Sequence, residues 1–147
     1  MRAFADPTRK ALADLVAFYG RVDEAQSGFS CPGRARCSRF AETGREPYLW
    51  RIEWLLVARR VAERGGRLPA ERPDAGCRFL DAAGRCTVYE ERPFGCRTYG
   101  CELAQNGGRG QRERLRSLNR ELGDLALGFD PEDDGPRPIS RHHSKGA

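Results

Sequence analysis

Apolar side chains recur at helical spacing near the start of the chain, and this pattern predicts a first helix over residues 7–25. Asp6 followed by Pro7 is a typical helix start, since aspartate caps the free N–H groups and proline suits the first turn. The predicted buried face carries Tyr19 among leucines and valines. We therefore expect this helix to pack its apolar face against the rest of the domain.

Two further segments follow the helical period. One covers residues 47–64 and stops at the pair Gly65-Gly66, a composition that commonly ends helices. The other covers residues 111–127, where four leucines spaced three or four residues apart form a narrow apolar seam. Together with the first helix, these segments predict a mainly helical domain.

The stretch between the second and third helices has short β-prone runs instead of a helical pattern. Residues 79–80 and 87–89 flank the turn-like sequence 81–84, which predicts a short β-hairpin. Pro93 disfavours helical geometry at Arg92, so a bend is expected directly after the hairpin.

The last residues of the chain are polar and rich in proline. Residues 130–147 contain almost no apolar side chains, so we predict a disordered tail after a single domain over residues 1–129. His142 and His143 are metal ligands by residue type, but their place in a polar tail argues for a solvated role.

The chain has 147 residues, with 26 Lys and Arg against 21 Asp and Glu, and a net charge of +5. The basic residues, almost all arginine, alternate with acidic ones as on solvated helix faces. No apolar run approaches the ~20 residues of a membrane span, and no secretory signal is apparent at the start. The composition argues against a membrane protein and a dedicated nucleic-acid-binding protein, and it favours a cytoplasmic one.

Cysteine is the most unusual component of the sequence. The chain contains six cysteines. Four of them fall within 25 residues, namely Cys77, Cys86, Cys96 and Cys101, and the other two are Cys31 and Cys37. Disulfides among them would need an oxidising compartment. In a reducing cytoplasm, clustered thiols favour metal or redox chemistry over disulfides or plain burial.

The spacing of the later thiols bears on the choice of metal. A hairpin would bring Cys77 close to Cys86, and the bend at Pro93 would return Cys96 and Cys101 to the same place. Structural zinc sites favour pairs with two to four intervening residues, a spacing that only Cys96 and Cys101 have. Iron–sulfur clusters tolerate wider separations. The spacing therefore favours iron–sulfur ligation and leaves zinc open.

Residues 77–97 resemble the second half of the YkgJ-type cysteine-cluster family, whose members are described as zinc- or iron-chelating domains. They follow its order of cysteine, Phe-Leu, acidic turn, cysteine, tyrosine, Arg-Pro and Cys-Arg in register. The family's first half carries C-x2-C-x2-C-C, and here Arg34 and Ser38 replace two of those four cysteines. The resemblance spans residues 28–101. Some relatives are fused to, or resemble, flagellin lysine methylases that carry an iron–sulfur cluster.

The resemblance implies that thiolates hold an iron–sulfur cluster, above all a [4Fe–4S] cluster, or iron, with zinc as the alternative. All six cysteines are candidate metal ligands. Cys77, Cys86, Cys96 and Cys101 are the primary candidates, whereas the two earlier cysteines complete a second position or replace Cys101. Arg97 directly follows a cysteine and is a candidate cofactor-binding residue, because its charge would offset that of the thiolates.

The sequence as a whole predicts a small, mainly α-helical domain with a short β-hairpin, organised around a cysteine-ligated metal centre. Our leading interpretation is an iron–sulfur or iron-binding protein that is accessory to a modifying enzyme and has a protein partner. The alternatives are a zinc-stabilised interaction module and an enzyme that activates its substrate at the cluster. Because no nucleophile–base pair or phosphate loop is apparent, we assign no catalytic residue.

Overall fold

The computed structural model describes residues 6–26, 46–70, 76–98 and 108–142. Four α-helices account for most of these residues: α1 (Pro7–Ala25), α2 (Arg51–Glu63), α3 (Phe94–Arg97) and α4 (Gly108–Phe129). Two strands and two short 3₁₀ helices complete the fold: β1 (Tyr48–Leu49), β2 (Arg137–Pro138), Tyr89–Glu91 and Ile139–Arg141. The expected mainly helical class is confirmed for the described residues.

Helix α1 has the bounds that its sequence predicts. The side chain of Asp6 accepts a hydrogen bond from the Thr8 N–H at 3.0 Å, so it caps the first turn. Leu15, Phe18 and Val22 are fully buried, whereas Val16, which the spacing predicts on the same apolar face, is 43% exposed. The buried face therefore follows the 3.6-residue period of the sequence.

The other two long helices are present with different limits. Helix α2 begins at Arg51 rather than at residue 47, because Tyr48 and Leu49 form β1 instead. This strand pairs antiparallel with β2, with Tyr48 opposite Pro138 and Leu49 opposite Arg137. Helix α4 is longer than predicted and runs from Gly108 to Phe129.

The buried side chains form two clusters on either side of α2. The first, which we call the helical core, joins α1, α2 and α4 through residues such as Phe18, Ile52 and Leu122. The second, the aromatic core, contains Leu49, Val57 and Val88 around the rings of Trp54 and Phe79. The ring centroids of Trp54 and Phe79 lie 6.0 Å apart. Because α2 contributes to both clusters, it is the central element of the described fold.

Residues 130–142 do not form the disordered segment that their composition predicts. Ile139 belongs to the aromatic core, and its N–H donates to the Pro47 carbonyl at 2.9 Å. His142 is buried, and its ring stacks on Trp54 with centroids 5.3 Å apart. Arg78 also donates hydrogen bonds to the carbonyls of Ile139 and His142, at 3.1 and 2.9 Å. Partners from distant elements therefore hold this polar segment. His143 lies outside the described residues.

None of the helices in the part of the chain that the structure describes combines the length and the apolar character needed to cross a membrane.

Candidate functional site

The segment that carries Cys77 and Cys86 reverses direction, as predicted. Leu80 pairs with Cys86 in one antiparallel bridge, and the Thr87 N–H donates to the Phe79 carbonyl at 2.8 Å. Regular hairpin strands do not extend from this bridge, because the chain turns into the 3₁₀ helix Tyr89–Glu91. The predicted hairpin is therefore a tight turn closed by a single bridge.

The acidic turn between these cysteines is held by one side chain. Asp81 Oδ1 accepts hydrogen bonds from the N–H groups of Ala83 and Arg85, both at 2.9 Å. Gly84 has φ of +77°, a left-handed conformation that glycine adopts without steric cost. The aspartate and the glycine of the motif thus explain why the chain reverses at this point.

Two of the predicted ligands contact the same part of the interior. Cys77 is a buried member of the aromatic core, and Cys86 packs against that core while half-buried. These two cysteines, nine residues apart in sequence, thus border one apolar core on either side of the turn. The expectation that their thiols lie close enough to share a metal stays a prediction.

Cys96 lies on a different element, the short helix α3. Pro93 caps this helix with φ of −65° and ψ of 164°, and Arg92 is non-helical, so the predicted bend is present. Cys96 is half-buried and, behind burial and Glu53, its charge contributes to the raised pKa of Tyr19.

The three described cysteines are not gathered into a complete binding site. No group of three His, Cys, Asp or Glu side chains is placed to hold a metal ion within residues 6–26, 46–70, 76–98 and 108–142. The other predicted ligands, Cys31, Cys37 and Cys101, lie outside those ranges. The cysteine-ligated centre therefore stays a prediction.

Sequence reasoning missed a buried carboxylate close to α3. Glu53 is completely buried within α2, and it accepts hydrogen bonds from three different elements. Its Oε1 accepts from the Tyr19 hydroxyl and from the Phe94 N–H, both at 2.8 Å, and its Oε2 accepts from the Trp50 N–H at 3.0 Å. Glu53 thereby joins α1, the start of α2 and the start of α3.

Burial shifts the pKa values of Glu53 and of Tyr19, whose hydroxyl donates to it. Desolvation raises the pKa of Glu53 above its usual 4.5, although its hydrogen bonds oppose the shift. Desolvation, followed by the charge of Glu53, raises the pKa of Tyr19 well above 10.0. The signal in the sequence was a glutamate between Ile52 and Trp54, inside an otherwise apolar run.

Arg97, the predicted cofactor-binding residue, has a side chain that is only 4% exposed and that connects three segments. Its Nη1 pairs with both carboxylate oxygens of Asp23, at 3.0 and 2.7 Å, and its Nε donates to the Arg92 carbonyl at 2.6 Å. Its Nη2 donates to the Glu90 carbonyl, and the guanidinium lies over the Tyr19 ring at 4.2 Å from the centroid. These contacts stabilise the segment that carries Cys96, and a role toward a cofactor stays a prediction.

Comparison with known proteins adds nothing to this geometry. No family model, curated protein or solved structure matches the chain.

Proposed function

We propose that this protein binds iron through cysteine thiolates, as an iron–sulfur cluster or as iron itself. The observation that carries the proposal is the turn closed by Leu80 and Cys86. This turn holds Cys77 and Cys86 against one apolar core, whereas ordinary buried cysteines need no such arrangement. Thiolates are the ligands that iron–sulfur clusters and zinc prefer among protein side chains.

The supports around these thiols agree with a ligand-holding role. Asp81 and Gly84 fix the turn, and Glu53 and Arg97 fix the helix that carries Cys96. Metal sites commonly need such positioning, because ligation geometry is specific and flexible ligands bind weakly. The proposal places Cys77, Cys86 and Cys96 in the ligand set and draws the remaining thiols from Cys31, Cys37 and Cys101.

The test is anaerobic purification followed by elemental analysis, assay of acid-labile sulfide and an absorption spectrum. We expect brown protein that contains iron, with sulfide if a cluster is present. Colourless protein with stoichiometric zinc would replace this proposal by the zinc-stabilised module. Protein without any bound metal would refute both.

Substitutions connect the metal to named residues. Cys86→Ser should abolish metal retention, because it removes a thiolate while conserving the size of the side chain. Thr87→Ser is the matched control, since it alters the adjacent residue, keeps the hydroxyl that donates to the Phe79 carbonyl at 2.8 Å and leaves every thiol intact. Equal metal-to-protein ratios in the two variants would contradict ligation by Cys86.

A further inference from the structure

A cleft of about 460 Å³ lies between α1, α2, α3 and the 3₁₀ helix Tyr89–Glu91. This volume falls within the roughly 300–1,000 Å³ of small-molecule sites. Val16, Leu56 and the buried ring of Tyr19 supply apolar surface, and charged side chains surround it. The cleft can therefore take an apolar chain that carries a charged group.

The charges that line the cleft do not balance. Three guanidinium groups each have a carboxylate partner: Arg97 with Asp23, Arg60 with Glu63, and Arg64 with Glu91. A fourth carboxylate, that of Glu90, is exposed at the cleft and has no cationic partner among the described residues. The cleft thus carries one net negative charge, which attracts a cation.

Glu91 supplies an independent sign of a missing donor. Its side chain is only 7% exposed, and its Oε1 pairs with Arg64. Its Oε2 is shielded from solvent and accepts no hydrogen bond, the single such buried oxygen or nitrogen of a side chain in the described ranges. A buried acceptor without a donor destabilises the fold, and more so when it is charged.

We infer that this cleft binds an organic ammonium ion with a short aliphatic chain. The ammonium group donates to Glu91 Oε2 and is attracted by the Glu90 carboxylate, while the chain contacts Val16 and Leu56. The Arg64 side chain is 46% exposed, and the ion pair with Glu91 is the one that its guanidinium forms among the described residues. It can therefore move outward and admit the ammonium group. The two observations agree, since a net negative charge and an unused acceptor both select a cation with N–H groups.

An anionic ligand fits the cleft less well. The Arg97 guanidinium, buried and engaged by Asp23 and two carbonyl groups, has little capacity left for another acceptor. An anion would also approach Glu90 and Glu91, which repel it. The inference is independent of the proposed metal centre and can hold or fail without it.

The test measures binding of n-pentylammonium to the full chain by calorimetry, with n-pentanol as the uncharged analogue at equal ionic strength. We expect saturable binding of the ammonium ion and none of the alcohol. Glu91→Gln should weaken binding about tenfold or more, since a hydrogen bond to a charged group is lost. Circular dichroism checks that each variant is folded.

Glu90→Gln keeps the test decisive if Glu91→Gln does not fold. This variant changes an exposed side chain, retains the carbonyl that accepts from Arg97, and should weaken binding about two- to fivefold at low salt. Glu113→Gln, on the exposed face of α4 and outside the cleft, is the matched control and should bind as the natural protein does. The inference would be overturned if n-pentanol bound as tightly as n-pentylammonium. It would also be overturned if Glu90→Gln and Glu113→Gln bound n-pentylammonium with the same affinity.

Discussion

Replacing Ile139 with alanine tests whether the C-terminal segment is part of the folded domain. Ile139 is 4% exposed and packs in the aromatic core, although its surroundings in sequence are polar. The substitution removes three buried carbons, which account for about 2.4 kcal/mol at ~0.8 kcal/mol each. The cavity left behind raises the expected loss to about 3 kcal/mol, within the usual range for isoleucine-to-alanine changes.

The measurement is urea unfolding and thermal melting at matched metal content. For a domain of this size, about 3 kcal/mol corresponds to a decrease in Tm of roughly 6–12 °C. Ile139→Val should lose only about 1 kcal/mol, because it removes a single carbon. Leu127→Ala is the matched control, since Leu127 is 42% exposed and its truncation should change stability by less than about 0.5 kcal/mol.

The outcome separates two descriptions of residues 130–142. A disordered tail contributes no buried surface, so Ile139→Ala would behave like Leu127→Ala. A loss of stability in Ile139→Ala no larger than in Leu127→Ala would therefore refute the packing argument. A loss near 3 kcal/mol would instead show that the aromatic core depends on this segment.

Two further predictions concern pH. Burial raises the pKa of Glu53, so its contribution to stability is full below pH 4.5 and is lost as the pH rises through the raised value. The unfolding free energy of Glu53→Gln should therefore not decline over this pH range, whereas that of the natural protein should. Burial lowers the pKa of His142 below 6.5, so its contribution is present above pH 6.5 and is lost as the pH falls through the lowered value. The natural protein should lose stability relative to His142→Gln between about pH 7.5 and pH 5, and parallel stability curves for the two would contradict this reading.

Packing explains why the second pH prediction could not come from sequence. His142 Nε2 lies 2.9 Å from the Leu49 carbonyl oxygen, which can only accept, so this nitrogen carries the proton. The ring is also stacked on Trp54. The two partners are 93 and 88 residues away, and the polar residues around His142 gave no indication of them.

Local chemistry was enough to predict several elements. The bounds of α1 follow from the helical period and from capping by Asp6, both of which are properties of neighbouring residues. The turn between Cys77 and Cys86 likewise depends on Asp81 and Gly84, which lie within it. In these cases the stabilising contacts join residues that are only a few positions apart. The local sequence is therefore sufficient to predict the structure.

Long-range contacts decided the rest. Residues 47–49 have a helical pattern, but because β1 pairs with β2, helix α2 begins only at Arg51. Glutamate usually lies at the surface, but two donors from distant elements, the Tyr19 hydroxyl and the Phe94 N–H, stabilise Glu53 inside the protein together with the nearby Trp50 N–H. The sequence by itself determined the helical class, the first helix and the cysteine-bearing turn. Only the tertiary structure decided the buried glutamate, the ordered C-terminal segment and the charged cleft, because each depends on partners that no local pattern identifies.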